Sequence, residues 1–372
     1  MTSKGAASSG GTVVTYSCRV CRDHESVTLR ELARRLAAIK GYDFAEEFDR
    51  ARRYSGRLYF VPNDTLIGID AARKLGIENE QDLFGGVVPF GFAATKTITH
   101  PLPDPDSRSP EGWSREFANR VRDVVLPGYS AFAKRDARIA GMRLLDLGRV
   151  RVKHSMGIGG LGQFVVDDEQ ALEEQLQGLD DDALSREGLV LEQDLTEVVT
   201  HSVGQVRVDD MRASYCGQQR LTTNHRGEQV YGGSNLLVTR GDFDQLMKLV
   251  LAPEVEMAIA KARHYHDAAV TSFRGMFASR CNYDIAQGVD NGGRSHSGVL
   301  EQSWRMGGAS AAEVAALEAF RTDASLDVVR ASTTEVYATE SVPADAVVYF
   351  RGVDEHAGAL TKYVRIEPYA NP

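Results

Sequence analysis

The segment KHSMGIGGLGQFVV, residues 153–166, constrains this chain more than any other part of it. Gly157, Gly159, Gly160 and Gly162 are preceded by the alternating strand pattern Arg149 to Lys153 and followed by the strand-like Gln163 to Val166. A dinucleotide-binding GxGxxG needs a helix directly after its loop, because the pyrophosphate sits on that helix's N-terminus. Here the loop opens onto a second strand. Such a hairpin can close over phosphates with backbone N–H groups exposed, and Lys153 leads into it with an ammonium in reach. A plain tight hairpin would carry the same glycines. A P-loop fails elsewhere too: in Gly91-Phe-Ala-Ala-Thr-Lys96-Thr97, Thr95 stands where that loop requires glycine.

Around the hairpin the pattern alternates. Strands are expected at Thr12 to Ser17, Arg57 to Val61, Gly86 to Val88, Leu189 to Glu192, Asn282 to Ala286 and Val299 to Gln302, with more strand signal over Val198 to Val238. Helices are expected over Val27 to Lys40, near Leu66 to Leu75, over Trp113 to Val125, Ser130 to Ile139 and Asp168 to Gln177, and from about Glu254 to Met276. Pro101, Pro103, Pro105 and Pro110 make residues 99–112 a linker, since proline with neighbouring Asp and Ser breaks both helix and sheet. The fold class is therefore mixed α/β and α+β. The expected division is an N-terminal α/β lobe over 1–105, a central lobe with the glycine hairpin over 106–185, and a C-terminal lobe over 186–372.

Composition narrows the partners. A formal charge of −9, from 43 basic and 52 acidic residues, argues against a nucleic-acid binder. No apolar run approaches the roughly 20 residues that span a bilayer, and the start MTSKGAASSGGT lacks the apolar centre of a signal peptide, so a cytoplasmic location is expected. Four cysteines are too few for a disulfide scaffold; Cys18 and Cys21, with His24 close by, lack a second ligand pair because Cys216 and Cys281 are isolated.

Three further segments turn the hairpin into a resemblance. LVLEQDL, residues 189–195, looks like the hinge strand of the ATP-grasp superfamily; VLEQSWRMGGAS, 299–310, is similar to its closing E-x-N-x-R segment; and Asn282-Tyr283-Asp284 takes the place of the earlier metal-binding acid. The whole chain also resembles the bacterial family DUF3182, including GGVVPFGFAATKTITHPL and VLEQSWRMGGAS. The resemblance implies a two-lobed ATP-grasp fold behind a small α/β lobe, with ATP and Mg²⁺ as cofactors. Lys153 would contact the α- or β-phosphate, with Lys134 as the second phosphate lysine. Glu192 and the backbone through Leu195 would meet adenine, and Glu197 the ribose. Asp284 and Glu301 would hold Mg²⁺, with Ser303 where the family has Asn, and Arg305 would neutralise the transferred phosphoryl group. Asp290 is a competing metal ligand.

The activity implied is ligation: a carboxylate is activated as an acyl phosphate and attacked by an amine. The alternatives are an ATP-grasp kinase acting on a small molecule, or a non-catalytic ATP-binding regulator. Small-molecule acid and amine partners follow, without nucleic acid or membrane, and a homodimer is compatible with the sequence. Arg220, Arg274 and Arg280 are candidates for gripping the substrate carboxylate. Lys96 and His100 are candidates to face the cleft, whereas His264 and His266 read as helix surface.

Overall fold

The computed structural model describes residues 10–155, 162–339 and 341–369. The helix Asp23–Lys40 illustrates how the sequence builds the first lobe. Leu29, Leu32 and Leu36 fall on one stripe and are buried with Ala33, Ala37 and Ile39, each leucine stabilising the fold by roughly 1.5–3 kcal/mol. Asp23 and Glu25 in the first turn and Lys40 in the last complement the helix dipole, and Gly41 at φ 65° ends the helix in the left-handed conformation. The helix thus begins four residues before the apolar stripe at Val27 suggests, because its acidic first turn extends it toward Arg22.

It packs on a parallel three-stranded sheet ordered Asp43–Glu47, Gly11–Tyr16, Arg57–Pro62. Next to this lies a small sheet in which Gly86–Val88 pairs in parallel with Leu66–Ile67 and antiparallel with Phe277–Ala278. The first lobe therefore takes a strand from the last third of the chain.

The central, four-stranded sheet is antiparallel, ordered Gly128–Ala131, Leu189–Gln193, Val150–His154, Gln163–Val166. Helices Lys134–Leu145 and Glu169–Gln177 bury their apolar faces in its core, which contains Ala137, Leu144, Val152, Leu172 and Leu191. Residues 130–133, read as helical from sequence, instead end a strand and lead into the helix at Lys134. The strand Leu189–Gln193, expected to open the last unit, pairs within this central sheet.

The largest sheet has eight antiparallel strands, ordered Ser295–Ser303, Arg280–Val289, Thr196–Val208, Met211–Thr223, Gln229–Arg240, Val328–Val336, Gly358–Pro368, Val347–Asp354. The helix Pro253–Ser272 covers one part of it; the helix Ser310–Thr322, which the sequence reading did not anticipate, is wedged between the sheet and the helix Asp23–Lys40. A backbone bond from His24 to Asp354 and the Arg35–Glu318 ion pair at 3.0 Å tie the first and last lobes together. No helix among the described residues is long and apolar enough to cross a membrane.

Candidate functional site

The hinge strand Leu189–Gln193 is the middle of the site. All five of its residues are buried, and Glu192 carries its charge there at 1% exposure. A buried carboxylate must be paired. Lys153 lies two residues off in register on the neighbouring strand, within diagonal reach, and its ammonium contacts Glu192 Oε1. From the other side, His100 Nε2 lies 3.3 Å from Oε2. Burial raises the Glu192 pKa, but Lys153 and His100 outweigh it and bring it down to about 2.

His100 reaches this position because Gly128 sits directly opposite Glu192. A Cβ on Gly128 would lie 2.7 Å from the His100 ring. Gly128→Ala therefore displaces the imidazole, with an expected cost of about 1–3 kcal/mol; thermal unfolding of the variant beside Gly178→Ala, where a Cβ meets nothing nearer than 3.6 Å, checks this.

The second cluster sits on the neighbouring hairpin. Strands Arg280–Val289 and Ser295–Ser303 place Asp284 directly across from Glu301, with a register irregularity just beyond. The intervening residues that lengthen the sequence spacing are the paired ends of the two strands, to Val289 and from Ser295, and the turn between them. Asp290 belongs to that turn: its carboxylate accepts from the backbone of Gly292 and Arg294 and pairs with Arg294 at 3.0 Å and His296 at 2.8 Å. These donors hold its pKa well below the usual range, and its expected competition for a metal is corrected to a structural role.

Two carboxylates opposed on one sheet face repel. Burial and the neighbouring Glu301 push the Asp284 pKa up, while Ser202 (3.0 Å) and Asn282 (2.9 Å) donate to its Oδ1. Burial also raises Glu301, but Lys96, then Lys153 and Arg305, bring it below the ordinary range. The Lys96 ammonium lies 2.9 Å from Glu301 Oε2. It is delivered there at the start of the 3₁₀ segment Lys96–Thr99, just after Ala93 and Thr95, whose carbonyls accept from Gln302 Nε2 at 3.0 and 2.7 Å. Lys153 touches Glu192, and its charge also helps to lower Glu301, so both acids lie within the field of one ammonium.

This donor set fits Mg²⁺. Two hard carboxylates face each other across the hairpin, with Glu301 38% exposed, a donor pair of the type Mg²⁺ takes. Among the described residues no three His, Cys, Asp or Glu side chains gather to hold a metal, so the remaining ligands would come from phosphate and water, as Mg²⁺ prefers.

The other expected residues fall as follows. Arg305 follows the Glu301 strand, 4.0 Å from Asp64. Ser303 turns its hydroxyl to Arg280 at 3.3 Å and the Arg305 carbonyl at 3.4 Å, so a cation occupies its front. Leu195 is buried beyond the hinge, and Glu197 is exposed at φ 51°, in the left-handed region that non-glycine residues seldom adopt. Lys134 starts its helix with its ammonium toward Asp181 (3.6 Å) and the Gln177 carbonyl (3.4 Å), not toward Glu192. Gly162 has φ 71° and its carbonyl accepts from His154 N, closing the base of the hairpin. Gly157, Gly159 and Gly160 lie outside the described residues.

The arginines expected to grip substrate are corrected. Arg280 is fully buried and makes paired bonds to Glu313, at 3.0 and 2.8 Å. Arg220 bonds the Thr333 carbonyl at 2.9 Å, and Arg274 is exposed beyond the helix Pro253–Ser272. His264 is exposed, whereas His266 is half-buried with Nδ1 2.8 Å from the Tyr283 hydroxyl.

Glu313 escaped the sequence reading altogether. It joins Arg280 and Tyr215 (2.6 Å), and Tyr215 reaches Asn282 (2.9 Å), which donates to Asp284. The signal was present: in SAAEVAALEAF an acid sits within an apolar helix, which demands a buried partner.

Four sheets, a hairpin beside a buried hinge, and an acid pair on the last lobe make up an ATP-grasp fold. Among solved structures, the chain is similar to biotin carboxylase from Campylobacter jejuni, solved with βγ-ATP (TM-score 0.52, 12% identity, 96% of this chain and 88% of that one). It is also similar to phosphoribosylamine–glycine ligase from Thermotoga maritima (TM-score 0.50, 12% identity, 96% and 92%). No curated protein matches it in sequence. The chain belongs to the protein family of unknown function DUF3182, whose profile matches residues 13–364.

Proposed function

We propose that this protein is a Mg-ATP-dependent ligase that activates a carboxylate as an acyl phosphate for attack by an amine. The observation carrying the reading is the buried hinge acid Glu192 held by Lys153 on the strand that enters the glycine run, together with the carboxylates Asp284 and Glu301 opposed across the next hairpin. Adenine lies against the backbone from Glu192 to Leu195, with Glu197 beside the ribose, and the residues assigned to the phosphates are Lys153 and the glycines of the run 157–162. Lys153 exchanges part of its contact with Glu192 for a phosphate oxygen, and His100 keeps the buried acid paired. Asp284 and Glu301 would hold Mg²⁺, which when bound would supply charge neutralisation for phosphoryl transfer, while the Ser303 hydroxyl is engaged by Arg280. Lys96 and Arg305 orient the γ-phosphate and the acceptor carboxylate, so that the rate arises from positioning and fixed charge.

Incubation with Mg-ATP and pools of acids and amines tests this. A ligase releases ADP and inorganic phosphate only when an acid and an amine are both present. A phosphorylated product formed without amine would make it a kinase. ATP binding without turnover would make it a regulator, a reading favoured by Ser303, whose hydroxyl is held by Arg280.

A further inference from the structure

In a parallel α/β sheet the carboxyl ends of the strands are where ligands bind. In the first lobe, two such ends carry charge toward the Glu301 site. Arg19 follows the strand Gly11–Tyr16, and Asp64 follows the strand Arg57–Pro62. Their loops are locked together by Asn63, which is 2% exposed. Its Oδ1 accepts from Cys18 N (2.7 Å) and Arg19 N (3.3 Å), and its Nδ2 donates to the Arg19 carbonyl (2.7 Å) and lies 2.8 Å from Cys21 Sγ. The CxxC segment is thereby wrapped around one amide, which fixes the backbone of Arg19 beside Asp64.

Arg19 is already neutralised, by Glu25 at 3.1 Å and Asp64 at 3.3 Å. Asp64 accepts from Thr65 N at 2.7 Å and stands 4.0 Å from Arg305 Nε, beyond hydrogen-bond distance, with 28% of each side chain exposed. Arg305 donates to its neighbour's carbonyl, Met306 O, at 2.9 Å. The cleft wall thus presents a guanidinium and, just beside it, a carboxylate with free acceptor capacity. A second carboxylate on the substrate would meet Asp64 and Glu25, which repel it. A cation one carbon away from the reacting carboxylate would meet Asp64.

Resting on the ligase reading above, we infer that the acid activated here is an amino acid, its carboxylate held by Arg305 and its α-ammonium by Asp64. Arg19 acts as a positioning residue that orients Asp64 through their ion pair.

The full chain with Mg-ATP and hydroxylamine, which traps an acyl phosphate as a hydroxamate, provides the test. The probes are the standard amino acids, each beside the acid of the same skeleton without its amine, such as alanine beside propionate. Calorimetry of each amino acid into the Mg-ADP complex gives a readout independent of turnover. The expected result is hydroxamate from at least one amino acid and not from its deaminated counterpart. Asp64→Asn should then raise KM for that amino acid about ten- to a hundredfold, the loss of one charged hydrogen bond, with kcat and Mg-ADP affinity little changed. Asp64→Glu should restore part of the affinity, which a merely structural role for Asp64 does not predict. Equal reaction of the deaminated acids, or an unchanged KM in Asp64→Asn, would overturn the inference while leaving the ligase reading intact. If no acid gives hydroxamate, the ligase reading fails, and the Asp64 site survives only where calorimetry still detects an amino acid whose binding Asp64→Asn abolishes.

Discussion

Replacing Lys153 with Met is expected to unfold the protein at a temperature roughly 6–10 °C lower, and to weaken ATP binding about ten- to a hundredfold. The stability loss comes from Glu192. Its carboxylate is 1% exposed and pairs with the Lys153 ammonium, and breaking a buried pair from one side costs about 3–5 kcal/mol. The sign of the pH dependence separates this cause from simple loss of packing. In the parent protein Glu192 has a pKa of about 2, below its ordinary 4.5. Its contribution is therefore present above pH 4.5 and is lost as pH falls from 4.5 through about 2. In Lys153→Met, burial opposed only by His100 raises the pKa, so acidification relieves the strain and the variant loses less stability toward pH 4 than the parent. The double variant Lys153→Met/Glu192→Gln should recover most of the unfolding temperature but none of the nucleotide affinity. Calorimetric unfolding over pH 4–8, with ATP titrations of each variant, checks both halves. A single variant with parent-like ATP affinity would remove Lys153 from the phosphate site.

The second large effect concerns Glu301. Glu301→Gln keeps the shape and the hydrogen-bonding capacity facing Lys96, 2.9 Å away, but removes one of the two charges opposed across the hairpin. Stability should fall, because the buried Lys96 ammonium loses its charged partner, a loss only partly offset by relief of the repulsion that pushes Asp284 upward. Catalysis should fall about a thousandfold, since metal charge stabilisation is worth several kcal/mol in the transition state and tenfold is about 1.4 kcal/mol. Mg²⁺ and protons compete for the same oxygens, so metal affinity in the parent should fall on acidification, beginning above the usual aspartate range because Asp284 is raised. In Glu301→Gln that onset should move to lower pH. Titration of Mg²⁺ into the nucleotide-saturated protein at several pH values measures it. An unchanged Mg²⁺ affinity in the variant would exclude Glu301 as a ligand.

Local pattern carried a good deal of this. The strand Gln163–Val166 and the short strand Gly86–Val88 were legible to the residue, because alternation and flanking glycines mark them. The order of lysine, glycine hairpin, hinge acid and acid pair was legible as well, and it led to the fold. Other elements could not be read locally. Asp43–Glu47 is a polar edge strand with one buried residue, and only its parallel pairing with Gly11–Tyr16 makes it a strand. The last three strands of the large sheet, with exposed polar residues on one face, were likewise unread.

In the site the division runs between chemistry and partnership. The sequence by itself determined which groups could bind phosphate and metal, because residue type and order state what a side chain can donate or neutralise. Tertiary structure decided what each group faces. It turned the glycine hairpin's lysine onto Glu192, set Lys96 on Glu301 and His100 beside Gly128, and withdrew Arg280 into a buried pair with Glu313. Those partners lie far apart in the chain, and burial, which no local pattern records, is what makes each pairing compulsory.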